Sequence, residues 1–162
     1  MKKLRSLRPR DEAWPKKTAG VYLAYRESDK PVSFLRHSPA GQRRGDPTLP
    51  LASLRGGLWV PDSRVVYIGK AARPKSTSTN SLRRRVSAYL RFGAGSKASH
   101  SGGYPTWQLR DSADLLIAWC VIDPPETPAC FEHDLIEAHI ARFGARPFAN
   151  SNSGSCDLDQ GG

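Results

Sequence analysis

Two short β-type runs constrain this chain more than any other feature in it. Ala19 to Tyr25 reads AGVYLAY, and Arg64 to Lys70 reads RVVYIGK. Each sets a tyrosine beside β-branched residues and a glycine, the composition of a buried strand. The tyrosines, Tyr22 and Tyr67, stand forty-five positions apart. A third run, Asp114 to Ile122 (DLLIAWCVI), is continuously apolar after its aspartate and of strand length. Such a run predicts a strand buried on both faces. Between the second and third runs, Leu82, Val86, Tyr89 and Leu90 recur at helical spacing, predicting a helix over Ser81 to Arg91 with Asn80 or Ser81 as its N-cap. Thr127 followed by Pro128 starts a second helix, and Gly144 stops it after Phe143. Three strands and two helices in 162 residues make one domain of mixed α/β (α+β) class.

Charge narrows the partners. The chain carries 25 Lys plus Arg against 15 Asp plus Glu, a formal net charge of +10. That balance favours polyanions, namely DNA, RNA or an anionic membrane surface, over a neutral partner. No apolar run approaches the roughly 18 residues of a membrane span, and the expected partner is DNA, with no membrane partner. The start, MKKLRSLRPR, lacks the apolar segment that follows the basic start of a signal peptide. Cys120, Cys130 and Cys156 are odd in number and at unrelated spacings. They suggest neither a disulfide framework nor a zinc site, and a reduced cytoplasmic protein with buried thiols is the simplest account.

Three stretches fall outside the regular elements. Residues 1–17 are basic and aperiodic and read as an exposed arm. Residues 27–63 form a polar insert with five prolines and scattered basic residues, including the adjacent Arg43 and Arg44. Leu49 to Val60 could dock there as a loop or add a short strand, and a connection of this length is usually functional or mobile. Phe92 to Gly103 (FGAGSKASHSGG) reads as a mobile basic loop. Residues 151–162 read as a polar, disordered C-terminal tail.

The second helix holds the sharpest chemical clue. With Phe131 as zero and roughly 100° per residue, Glu132 falls at about 100°, inside an apolar arc from Phe131 through Leu135 and Ile136 to Ile140. Glu137 falls at about 240°, on the polar side. A carboxylate on a core face must meet a metal, a cation or hydrogen-bond donors. An arginine partner is the bland answer, and a metal or catalytic role the sharper one. His139 shares the arc and is a weaker candidate, more often a core residue bonded to backbone; His100 sits in the glycine-rich loop. In the first helix Arg85 and Tyr89 are four apart and share a face beside Leu82 and Val86. A guanidinium there is suited to paired hydrogen bonds with a phosphate. Lys70, straight after Gly69, would add a point charge. A tyrosine base, its phenol pKa near 10, needs a neighbouring cation or metal.

These residues, over about Thr18 to Asn150, resemble the GIY-YIG nuclease family, with the closest likeness to its members that act in bacterial nucleotide-excision repair. The motifs are GVYL (Gly20 to Leu23), YIGKA (Tyr67 to Ala71), LRRRVSAYL (Leu82 to Leu90), FEHDLI (Phe131 to Ile136) and Asn150. The resemblance implies a small three-stranded antiparallel sheet flanked by helices, and a metal-dependent DNA endonuclease that hydrolyses phosphodiester bonds. It implies that Tyr22, Tyr67, Arg85 and Glu132 are catalytic. Lys70, Arg85 and Tyr89 would bind the substrate phosphate, and Glu132 would hold one divalent metal, Mg²⁺ or Mn²⁺. Which tyrosine acts as base stays open. The alternative is a non-catalytic nucleic-acid-binding module on the same fold. The long gap between the tyrosines is similar to the inserts of restriction-type members, which often act as dimers, so a homodimer is a further expectation. Glu132 lies eighteen residues before Asn150 where about twelve is usual, and Glu137 at thirteen fits that spacing better. The helical arc favours Glu132.

Overall fold

A computed structural model describes residues 2–3, 15, 18–42, 45–72, 81–98 and 102–156. Most of the basic arm, the Arg43-Arg44 pair, Asn80, His100 and the end of the tail lie outside these residues. A two-residue strand, β1 (Lys2–Lys3), comes first in the chain. The expected three strands follow: β2 (Gly20–Tyr25), β3 (Val65–Ala71) and β4 (Leu116–Val121). Together they form an antiparallel sheet in the order β1-β4-β2-β3. The arm is therefore not exposed chain throughout: the backbone of its second and third residues pairs with Ile117 and Leu116. The helices are α1 (Leu82–Gly93) and α2 (Pro128–Phe143). No helix among the described residues is long and apolar enough to cross a membrane.

Local chemistry accounts for the boundaries. The Thr127 hydroxyl accepts from the Cys130 N–H, satisfying one of the open donors at the start of α2. Gly144, at φ 75°, ends the helix in the left-handed conformation, and its N–H donates to the Ile140 carbonyl. Ser81 holds the N-cap position of α1 without a side-chain cap. The N–H of Leu82 is met instead by the Thr18 carbonyl at 2.8 Å, which ties α1 to the entry of β2.

Strand alternation separates two cores. Tyr22, Ala24 and Tyr67 face α1 and join Leu82, Val86, Tyr89 and Phe92 in the main hydrophobic cluster. Val21, Ile68 and Lys70 take the opposite face, on the side of α2, whose Ile136 and His139 are buried. The free edge of β3 is closed by the chain after α2. Ala149 donates to the Val66 carbonyl, while the Asn150 side chain accepts from the Ile68 N–H at 2.9 Å and donates to its carbonyl at 2.8 Å. An edge strand that would otherwise offer unpaired backbone is thereby covered.

Four expectations need correction. The third strand is not buried on both faces along its length: Leu116 and Ile117 are buried, but Cys120 and Val121 are exposed. An apolar run cannot distinguish a strand covered throughout from one covered at one end. The insert is packed rather than loose. Phe34, Ala40, Leu54 and Val60 are buried, and Phe34, Trp59 and Phe148 form an aromatic cluster. Gln108 pins the insert by accepting from the Leu49 N–H and donating to the carbonyls of Leu35 and Leu49. Its second half forms a π-helical turn (Ser53–Leu58), not a strand. The thiols are not buried and reduced: Cys130 and Cys156 form a disulfide, and Cys120 is exposed and free. Finally, residues 151–156 are ordered against α2, where the Ser153 carbonyl lies 3.2 Å from His133 Nδ1. The disulfide and this contact supply the order that the polar composition does not suggest.

Candidate functional site

Antiparallel register assembles the tyrosines. Tyr22 pairs with Gly69 and Ala24 pairs with Tyr67, so each ring stands opposite a small residue and the two meet diagonally. Their centroids are 6.0 Å apart, edge to face. A Cβ on Gly69 would lie 2.7 Å from Tyr22 Cζ, so this glycine is the space the ring occupies. Tyr89, reaching in from α1, completes the cluster at 6.0 Å from Tyr22 and stacked on Tyr67 at 5.3 Å. Behind it, Trp107 contacts Tyr89 at 4.7 Å, and Gly103, at φ 70°, presses its backbone onto the Tyr67 ring.

Burial sets the acidity of these phenols. It drives Tyr22 well above the usual phenol range, with the neighbouring Tyr67 adding to the rise and Arg85 opposing it. Tyr89 is raised likewise by burial, although its hydroxyl donates to Thr106 Oγ1 at 2.8 Å, a bond whose effect is in the opposite direction. Tyr67 is pushed up to about 12: burial raises it most, Arg85 lowers it, Glu132 raises it, and the hydrogen bond from Tyr22 lowers it. Of the three, Tyr67 is the least enclosed, at 6% exposure against 1% for Tyr22 and none for Tyr89. It also feels both the cation and the carboxylate of the site.

Arg85 lies one turn before Tyr89 on α1, half-buried, and its Nε is buried without a hydrogen-bond partner. A buried guanidinium donor left open is costly unless a ligand meets it. Of Arg83 and Arg84, which the helical phase turns away from Leu82 and Val86, Arg84 is exposed and Arg83 half-buried. Glu132 is only 12% exposed on the inward side of α2, whereas Glu137 is exposed. The buried face of α2 is centred on Glu132 itself, flanked in phase by Ile136 and His139, while Phe131 at the expected edge of the arc is 37% exposed. The carboxylate's partner is Lys70, at 2.9 Å, rather than an arginine. Lys70 meets it because strand alternation turns residue 70 away from the tyrosine face and towards α2.

The structure thus links Tyr22, Tyr67, Tyr89, Arg85, Glu132 and Lys70 in one electrostatic chain around β3. Among the described residues no group of three His, Cys, Asp or Glu side chains gathers. A single carboxylate nevertheless suits Mg²⁺, which commonly takes one or two carboxylates and fills its octahedron with waters and phosphate oxygens. The donor set therefore fits one hard divalent ion at Glu132.

Two residues singled out in the sequence make contacts that hold the fold together. His139 does not line this site: its Nδ1 lies 2.7 Å from the Ala145 carbonyl and its Nε2 2.6 Å from Ser63 Oγ. That bond joins α2 to the start of β3. Asn150 clamps the backbone beside Tyr67 and does not reach the carboxylate with its own side chain, which is spent on Ile68. No protein-family model, curated protein or solved structure matches this chain.

Proposed function

We propose that this protein is a metal-dependent DNA endonuclease hydrolysing phosphodiester bonds at the Tyr22, Tyr67, Arg85 and Glu132 cluster. The observation that carries the reading is Arg85: an open buried Nε beside two hydrogen-bonded tyrosines, on a chain of net charge +10. A phosphate oxygen supplies what that guanidinium lacks. Arg85 orients the scissile phosphate and stabilises its developing negative charge. Tyr67, the least enclosed of the three clustered phenols, positions the attacking water, with Tyr22 donating to its hydroxyl and Tyr89 holding its ring. Lys70 neutralises Glu132 in the free protein, and an arriving phosphate offers its ammonium a second anion. Glu132 would hold the Mg²⁺ or Mn²⁺ ion, which supplies Lewis-acid stabilisation of the leaving oxygen. Self-association into a dimer would present two such sites to the two strands.

A second reading, a nucleic-acid-binding module without cleavage, is favoured by two features. Glu132 is already ion-paired, and the phenols hold their protons far above neutral pH. Plasmid nicking at low salt with Mg²⁺ or Mn²⁺ separates the two. Cleavage abolished by Arg85→Ala supports the nuclease, whereas salt-sensitive binding without cleavage supports the module.

A further inference from the structure

The chain beyond Asn150 is fastened at both ends over the candidate carboxylate. At its start the Asn150 side chain grips the Ile68 backbone with two hydrogen bonds. At its end Cys156 is joined by a disulfide to Cys130, two residues before Glu132 on α2. Between these anchors His133 Nδ1 meets the Ser153 carbonyl. Gly154 runs so close that a Cβ there would lie 2.9 Å from Glu132 Oε2 and 3.8 Å from Lys70 Nζ.

We infer that residues 151–156 are a strap that covers the Glu132 carboxylate while the disulfide is closed and uncovers it on reduction. This rests on the reading of Glu132 as the metal-holding carboxylate. The strap has no apolar anchor of its own: it buries no large apolar side chain, and Ser151, Asn152, Ser155 and Cys156 are exposed. Ordering such a polar segment costs conformational entropy, which the covalent link offsets together with the His133–Ser153 contact. Cys156 is exposed, which leaves the bond open to thiolate attack. A dithiol such as dithiothreitol supplies two electrons and two protons: the Cys130–Cys156 bond breaks, two thiols form, and the reagent closes to its own cyclic disulfide. The span from Asn150 to the freed Cys156 is then tethered at one end only.

The test uses the full chain, purified without reductant and compared before and after dithiothreitol and with Cys156→Ser. Thiol counting comes first and must find one free thiol before reduction and three after; three free thiols at the outset would overturn the proposal. Carbodiimide-driven amidation of Glu132, located by mass spectrometry, reads the cover directly. Labelling should rise about fivefold or more on reduction and be equally high in Cys156→Ser, and equal labelling in all states would overturn the strap. Mg²⁺-dependent nicking should rise in parallel. Nicking that is equal before and after reduction, despite uncovering, would overturn the gate. Absence of nicking in every state, with labelling still rising, would overturn the nuclease reading and leave the cover standing.

Discussion

Gly69→Ala isolates the steric basis of the tyrosine cluster. Gly69 lies in β3 without a positive φ, so alanine brings no backbone strain and only its methyl acts. That methyl would lie 2.7 Å from Tyr22 Cζ and 2.8 Å from its hydroxyl oxygen, closer than carbon atoms tolerate. The ring has little room to yield: Tyr22 is 1% exposed and in contact with both Tyr67 and Tyr89. Overpacking a filled core of this kind costs about 1–3 kcal/mol. At about 2 kcal/mol, and roughly 2–4 °C per kcal/mol for a domain of this size, Tm should fall by about 4–8 °C. Gly56→Ala is the control, because a Cβ there meets nothing within 4 Å, and its Tm should stay the same or rise slightly. Differential scanning calorimetry of both variants reads the contrast. Gly69→Ala with a Tm within about 1 °C of the parent and the same phenol titration would refute the reasoning.

Three further outcomes are expected. Glu132→Ala should abolish Mg²⁺-dependent nicking, whereas Glu137→Ala, an exposed change, should leave it within about twofold; the reverse result would move the metal to Glu137. Burial depresses the His139 pKa, so folding keeps the ring neutral, able to accept from Ser63 through Nε2 while Nδ1–H donates to Ala145. The unfolded chain then binds the extra proton first, so stability is full above about pH 6.5 and falls as pH drops through the lowered folded pKa. A Tm scan from pH 7.5 to 5 should show this drop, and Ser63→Ala, which leaves the buried Nε2 without its donor, should cost about 1–3 kcal/mol at neutral pH. Absorbance titration near 295 nm should find Tyr22, Tyr67 and Tyr89 still protonated at pH 11 in the folded protein. Because their folded pKa values lie above the unfolded value near 10, alkaline stability holds below about pH 10 and is lost as pH rises towards 12.

Which of Glu132 and Glu137 turns inward was legible in the chain because helical phase is a local property. Glu132 shares its phase with Ile136 and His139, and all three turn inward. The position of Arg85 beside Tyr89 was legible for the same reason. The partner of Glu132 was not, since Lys70 reaches it from another element. Ser63, Gln108 and Asn150 gave no signal of their contacts either: each is a polar residue outside the strands and α-helices, and only its long-range partner gives it a role. The disulfide escaped because spacing along the chain does not report which sulfurs meet in space.

By itself, then, the sequence determined the three strands, the two helices with their Thr127 and Gly144 boundaries, and the faces on which the chemistry-bearing side chains lie. Those follow from period, propensity and capping, which act over a few residues. Tertiary structure decided what depends on distance across the fold. Antiparallel register set Tyr22 over Gly69, the closure of the β3 edge brought Asn150 to Ile68, and the chain beyond it came to rest on Glu132. These contacts join residues remote in sequence, and their free energy comes from burial and hydrogen bonding that no local window contains.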